Sequence, residues 1–195
     1  MSARRSRDLG IDGAAVSWQY INSELFYPTK NMQYVSSLGG PRVMLPTSHI
    51  GHWIDELGTS PTPDNGLYGL ACSINEYCGI ISPWGTPLLI FGDDPSDIFY
   101  LADEYDGLLV RWVGAESLEH LAAFAIAEAN TDSWDEEIEI EIVDEAMTIM
   151  DTCTFHDDRA PRIHLAMRIG MYKLYSRYAE SSETMAIIHR LEYVG

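Results

Sequence analysis

The clearest hydrophobic pattern in the chain is a strict alternation near residue 140. Residues 137–142 read Glu-Ile-Glu-Ile-Glu-Ile, so each kind of side chain recurs at every second position. Successive side chains of a β-strand point to opposite faces, so this period predicts a strand with buried isoleucines and solvent-exposed carboxylates. The apolar segment 147–152 follows directly after Asp144 and Glu145. We expect it to form a second strand that pairs with the first.

A helical period is clearest over residues 116–129. Its apolar positions recur at intervals of three and four, which places them on one face of a helix: Leu118, Leu121, Ala122, Ala125 and Ala129. Shorter helices are predicted over 47–57, capped by Thr47 or Ser48 and ended by Gly58, and over 67–77. A mixed pattern over 14–26 predicts one more short helix.

Most of the remaining apolar segments are short and are separated by turn residues. Residues 33–46 indicate two strands interrupted by Gly39, Gly40 and Pro41, where the glycines allow a bend. Further strands are predicted at 79–83, 87–91, 108–113, 162–165, 171–178 and 184–191. We therefore expect a single α+β domain over 26–195, with mainly antiparallel strands and two or three helices. Residues 1–25 are expected to form a poorly ordered or loosely packed N-terminal segment.

The charge of the chain is concentrated in its middle. The 195 residues include 30 acidic and 12 basic ones, which gives a formal net charge of −18. Residues 43–158 hold 24 acidic residues and a single basic one, Arg111, whereas 1–42 and 159–195 carry net charges of +2 and +3. With 46% hydrophobic residues the composition is globular rather than disordered.

This distribution excludes several classes of function. A strongly negative field repels phosphates, so direct binding to nucleic acid is disfavoured and a basic partner is expected. No apolar run is long enough to cross a membrane, and acidic residues and glycines interrupt the segment after the basic start, which argues against secretion. Three cysteines are an odd and sparse set, as expected for a cytoplasmic protein with reduced thiols. The oligomeric state stays open.

One group of residues has a spacing that would suit a metal. His49, His52 and Glu56 lie at i, i+3 and i+7, so a helix would place them on one face. The spacing is not that of the HExxH zinc motif, and two solvated histidines on a surface helix are the favoured interpretation. We predict neither a metal nor a cofactor. A metal-dependent hydrolase that uses His49, His52 and nearby carboxylates, or a scaffold subunit of a larger assembly, remains the alternative function.

The carboxylates form four groups between residues 93 and 141. None of them has the spacing of a calcium-binding loop, and a solvated surface is the simplest interpretation. Self-repulsion of so many like charges is destabilising, however, and such a field speeds and selects association with a cationic partner. We therefore predict that the partner-binding residues are Asp93, Asp94, Asp103, Glu104, Asp106, Glu137, Glu139 and Glu141.

Five segments in fixed order resemble a known family. They are YVSSLGGPRVMLP at 34–46, a tryptophan at position 53, YGLACSINEYCGII at 68–81, PLLIFGDDP at 87–95 and GLLVRWV at 107–113. Together they resemble family twenty-one of the immunity proteins of bacterial polymorphic-toxin systems. The chain departs from the family pattern at Leu38, at Leu67, Gly69 and Leu70, and at Asp94, where the family has Glu.

The resemblance implies a cytoplasmic protein without enzymatic activity. Immunity proteins bind a toxin that is encoded beside them and block its active site or its substrate path. Many such toxins are nucleases with cationic grooves, which an acidic surface would fit. The matched motif residues are interpreted as structural: Gly39, Gly40, Pro41, Trp53, Cys72, Gly92, Pro95, Arg111 and Trp112. Arg111 is expected to pair with a nearby carboxylate.

Overall fold

The computed structural model describes residues 33–62, 64–92, 96–101, 107–154 and 160–195, which contain eleven strands and three α-helices. The strands are β1 (Gln33–Val35), β2 (Arg42–Pro46), β3 (Cys78–Ile81), β4 (Leu88–Phe91), β5 (Ile98–Leu101), β6 (Leu108–Gly114), β7 (Glu136–Ile142), β8 (Ala146–Asp151), β9 (Ile163–Ala166), β10 (Gly170–Glu180) and β11 (Met185–Tyr193). The helices are α1 (Ile50–Asp55), α2 (Gly66–Ala71) and α3 (Leu118–Glu128), and a single 3-10 turn, Thr47–His49, precedes α1.

The strands form two antiparallel sheets. The large sheet has the order β1-β5-β6-β11-β10-β7, and the small sheet has the order β3-β4-β2-β8-β9. Every strand pair in both sheets is antiparallel. The predicted α+β fold, a single domain with mainly antiparallel strands and two or three helices, is confirmed. None of the described helices has the length and apolar character that crossing a membrane would need.

Three hydrophobic clusters hold the layers together. The largest lies between the two sheets and contains Met44, Leu89, Ile140, Tyr172 and Leu191 among others. A second cluster packs α1 and α2 on the outer face of the small sheet, and a third packs α3 on the outer face of the large sheet. Both faces of β2 are therefore covered, which explains why all five of its residues are buried.

The two strongest periodic patterns are confirmed. In β7 the isoleucines at 140 and 142 are buried between the sheets, whereas the glutamates at 137, 139 and 141 are exposed. In α3 the side chains of Leu121, Ala122 and Ala125 are buried, and Ser117 caps the helix by accepting a hydrogen bond from the backbone N–H of His120.

The predicted pairing of 147–152 with 137–142 is wrong. β8 pairs with β2 and β9 in the small sheet, and β7 pairs with β10 in the large sheet. Asp144 Oδ1 accepts the backbone N–H of Ala146 at 3.0 Å where the chain crosses from one sheet to the other. The apolar sides of β7 and β8 thus meet face to face across the core instead of side by side.

Local details also differ from the sequence predictions. Neither Thr47 nor Ser48 forms a side-chain cap, although Gly58 follows the α1 segment with a φ of +80° as expected. α2 ends at Ala71 rather than at residue 77, and strand β5 was not predicted. The predictions for 1–25 and 14–26 lie outside the described residues.

Side chains close the two corners where the sheets meet. At one corner, the amide of Gln33 in β1 donates to the carbonyl of His164 in β9 at 3.2 Å and accepts its N–H at 2.7 Å. At the other corner, the carboxylate of Glu136 in β7 accepts the backbone N–H groups of Tyr77 and Cys78 at 3.0 and 3.2 Å. Each side chain forms hydrogen bonds with backbone groups at an edge strand of the small sheet, and these groups would otherwise be available for pairing with another strand.

Candidate functional site

Part of the outer face of the large sheet is not covered by any element within the described residues. α3 packs on the region of β5, β6 and β11 that contains Phe99, Val110 and Ile188. The region over β7, β10 and the end of β11 carries solvent-accessible side chains instead. We call this region the open face, and it consists of Glu137, Glu139, Glu141, Met171, Lys173, Tyr175, Arg190 and Glu192.

The acidic row of β7 forms one side of the open face. The glutamates at 137 and 139 have side chains that are 48% and 59% exposed, and Glu141 is exposed as well. Lys173 on β10 lies opposite them, with its Nζ 2.5 Å from Glu137 Oε1 and 4.0 Å from Glu139 Oε1. The hydrogen bond and the charge of Glu137 raise the pKa of Lys173. Two of the three carboxylates thus share the cation of Lys173, and the row remains negative.

An aromatic cluster borders the acidic row. The rings of Trp134 and Tyr175 lie 5.7 Å apart, and the guanidinium of Arg190 lies 5.0 and 4.8 Å from their centroids. Arg190 also donates to the carbonyl of Ala129 at 3.4 Å and lies 3.6 Å from the carboxylate of Glu192. Tryptophan, tyrosine and arginine are the residue types that contribute most to the energy of protein interfaces.

Four residues of these two groups are not among the candidates predicted from the sequence: Trp134, Lys173, Tyr175 and Arg190. The alternation along β10 places residues 171, 173 and 175 on one face, and this period of two is visible in the sequence. Their proximity to the acidic row depends on the pairing of β10 with β7 and β11, which lie far apart in sequence.

The predicted partner-binding residues divide into two sets. Glu137, Glu139 and Glu141 lie together on the open face. The others, together with Pro95 from the family motif, lie outside the described residues: Asp93, Asp94, Asp103, Glu104 and Asp106. Their participation stays a prediction.

Several motif residues surround the bend between β1 and β2. Gly39 has a φ of +108°, and a Cβ at Gly40 would lie only 2.8 Å from Thr152 Oγ1 and 2.9 Å from the ring of Tyr68. The carbonyl of Pro41 accepts the N–H and the hydroxyl of Thr152 at 3.1 and 2.8 Å. The bend is thus locked to the residue that follows β8.

The remaining motif residues lie in or beside the hydrophobic clusters. Trp53 is fully buried beneath the small sheet, and a Cβ at Gly92 would lie 2.5 Å from the carbonyl oxygen of Glu76. Cys72 is half-buried at the end of α2. Trp112 is half-buried, with its ring 5.8 Å from that of Phe99.

Two arginines of the motif region converge on Ser96. Arg42 and Arg111 are both fully buried. Arg42 donates to the carbonyls of Gly40 and Ser96, and Arg111 Nε donates to Ser96 Oγ at 3.4 Å. The pairing of Arg111 with a carboxylate stays a prediction.

The histidines of the alternative hydrolase function contact a tryptophan. The rings of His49 and His52 lie 5.5 Å apart and 5.5 and 5.7 Å from the ring of Trp84. Glu56 accepts the indole N–H of Trp84 at 3.1 Å, so its carboxylate is engaged. Within the described ranges, no group of three or more histidine, cysteine or acidic side chains could hold a metal ion. The geometry gives this alternative no support.

A cysteine, a serine and a histidine meet between the sheets. His189 Nδ1 lies 2.8 Å from Ser176 Oγ and 3.3 Å from Cys78 Sγ. All three residues are buried, and burial raises the pKa of the Cys78 thiol to about 12. Burial and the nearby charge of Arg111 lower the pKa of His189 well below 6.5. A neutral thiol that solvent cannot reach does not act as a nucleophile, so the cluster is a packing element.

The buried histidine predicts a loss of stability in mild acid. Between pH 6.5 and the lower pKa of folded His189, the unfolded chain binds a proton that the folded chain does not. The free energy of unfolding should therefore fall by up to about 1.4 kcal/mol per pH unit from this residue. The free energy of unfolding is measured by urea denaturation at several pH values between 7 and 5. Its decrease with falling pH should be smaller for His189→Gln than for the wild type. His120→Gln, at a 58% exposed side chain, is the control, and equal decreases for all three proteins would contradict the prediction.

The comparisons with known proteins identify a family. The family model of immunity protein 21 matches residues 33–185 of the chain. Neither the search of curated proteins nor that of solved structures finds a match. The matched region covers more than half of the chain and includes all of β7 and β10, which carry most of the open face. The chain therefore belongs to the immunity protein 21 family, whose description indicates a protein that acts against a toxin.

Proposed function

We propose that this protein neutralises a cognate toxin by binding it through the open face and blocking its active site. The observation that carries the proposal is the position of Glu137, Glu139 and Glu141. The alternation of β7 exposes these three carboxylates on the one region of the large sheet that no described helix covers. Such a row attracts a basic surface and selects against acidic ones.

A nuclease is the toxin class that fits this surface best. Its substrate groove binds phosphates and is therefore cationic, so carboxylates can occupy the positions of the phosphates. Alternate side chains of a strand lie about 6.6 Å apart, so the row presents three carboxylates in a line to such a groove. The protein itself then needs no catalytic group, and it acts in the cytoplasm, where the toxin would meet nucleic acid.

Co-expression with the toxin domain of the adjacent gene tests this function. Cells that produce the toxin domain should survive only when this protein is also present. A toxin from an unrelated system, expressed in the same way, should kill at an unchanged rate and serves as the control. Equal killing by the cognate toxin with and without this protein would contradict the proposal.

Binding can be measured separately with a catalytically inactive toxin domain. We expect a one-to-one complex whose dissociation constant increases with salt concentration, because the attraction between the acidic row and a basic groove is screened. For a nuclease toxin, this protein and a short DNA or RNA duplex should compete for the same site. A ternary complex with nucleic acid would contradict occupation of the substrate groove.

A further inference from the structure

Exposed hydrophobic side chains collect at one end of the large sheet. The described residues include seven large hydrophobic side chains that are exposed: Tyr34, Leu38, Ile80, Ile126, Val143, Ile169 and Val194. Three of them flank neighbouring strands. Val143 follows β7, Ile169 precedes β10 and Val194 follows β11, with exposed fractions of 41%, 56% and 47%. We call these three residues the apolar end.

Backbone pairing brings the three strand ends together. Ile142 is paired with Gly170, so the neighbours of these two residues, Val143 and Ile169, lie at the same end of the sheet. The N–H of Val194 donates to the carbonyl of Met171 at 2.9 Å, which places β11's end beside the start of β10. The three residues of the apolar end thus lie at the same end of three adjacent strands.

The apolar end adjoins the acidic row. Met171 lies opposite Glu141 in the pairing of β10 with β7, so the open face passes directly into the apolar end. Protein interfaces combine an apolar region, which excludes water, with charged residues around it. Of the other four exposed hydrophobic residues, Tyr34 stacks on Phe99, Leu38 lies in the bend after β1, Ile80 lies in β3 and Ile126 lies in α3.

The acidic row alone contributes less to binding affinity than an adjacent apolar region does. Solvent-exposed ion pairs contribute little net affinity, because desolvation and side-chain ordering offset the attraction. Burial of a valine or isoleucine side chain in a complex contributes more, roughly tenfold in affinity for each well-packed side chain. The carboxylates thus favour encounter and partner choice, whereas tight binding requires buried apolar area.

We propose that the apolar end is the anchor of the toxin-binding surface. The inference rests on the proposed function and specifies which kinds of toxin side chain contact this surface. The toxin presents an apolar side chain to Val143, Ile169 and Val194, and lysine or arginine residues beside it face Glu139 and Glu141.

Two matched triple variants test this assignment. The first changes Val143, Ile169 and Val194 to serine, and the second changes Leu38, Ile80 and Ile126 to serine. Binding of each to the inactive toxin domain is measured by isothermal titration calorimetry, and thermal denaturation checks that each is folded. The first variant should bind roughly 100-fold more weakly than the wild type, and the second within about threefold.

The outcomes separate the anchor from the function. Wild-type binding with equal affinities for both variants would overturn the anchor and leave the proposed function intact. Absence of wild-type binding would overturn the function, and the anchor with it. Should the first variant lack a cooperative transition, Ile169→Ser alone replaces it, with an expected loss of roughly tenfold against Ile126→Ser as control. Equal affinities of these two single variants would equally overturn the anchor.

Discussion

Reversal of Glu137, Glu139 and Glu141 to lysine should weaken toxin binding by about 100-fold or more, because attraction to a basic partner becomes repulsion at three neighbouring positions. All three side chains are exposed, so the fold should tolerate the change. Lys173 would lose its ion pair with Glu137, but an exposed pair contributes little to stability. Affinity and salt dependence are measured by titration with the inactive toxin domain.

Two controls distinguish the open face from the charge of the whole protein. The first control changes Asp64, Glu116 and Glu183 to lysine and therefore has the same net charge as the reversal variant. These three residues are exposed and lie outside the open face. This control should lose only a small part of the affinity, mainly through slower association. A variant with glutamine at 137, 139 and 141 should have an affinity between those of the wild type and the lysine variant. Equal losses in the two lysine triples would mean that the general field, rather than this strand, attracts the partner.

Substitution of Trp53 by alanine should lower the free energy of unfolding by about 3–5 kcal/mol. The side chain is fully buried between α1 and the small sheet, where it packs with Val43, Leu45 and Leu67 among others. Its indole N–H also donates to the carbonyl of Thr152 at 3.2 Å. The substitution therefore leaves a cavity and removes the hydrogen-bond donor of a buried carbonyl.

Urea denaturation of Trp53→Ala measures this loss, with Trp84→Ala as the matched control. Trp84 is only half-buried and contacts the surface histidines, so its removal should cost less than about 1.5 kcal/mol. Toxin protection in cells should fall with Trp53→Ala because less folded protein is present. Similar losses of stability for both tryptophans would contradict the assignment of Trp53 to the core.

Several features of the fold follow from short stretches of sequence. The alternation at 137–142 and the helical period at 116–129 each report local geometry, and both elements form as predicted. Gly58 adopts a positive φ because the chain must turn where α1 ends. The two strands on either side of Gly39 and Gly40 also agree with the prediction.

The errors arise where distant parts of the chain compete. The short separation of β7 and β8 favours a hairpin, but β7 pairs with β10, β8 pairs with β2 and β9, and both strands bury their apolar sides in the shared core. β5 has only four residues and is held by pairing with β1 and β6, which its own sequence does not reveal. α2 ends early, and Ile74, which follows it, packs directly over Gly79 instead of continuing the helix.

The sequence by itself determined the family, the α+β class, the concentration of charge and the solvent-facing row of glutamates on β7. These properties depend on composition, on ordered motifs or on a period within one strand, so no distant contact is needed to read them. Only the tertiary structure decided that the row lies beside Lys173, Tyr175 and an apolar end, on a face that no described element covers. That arrangement depends on the pairing of β7, β10 and β11 and on the limited length of α3, which covers the other half of the sheet.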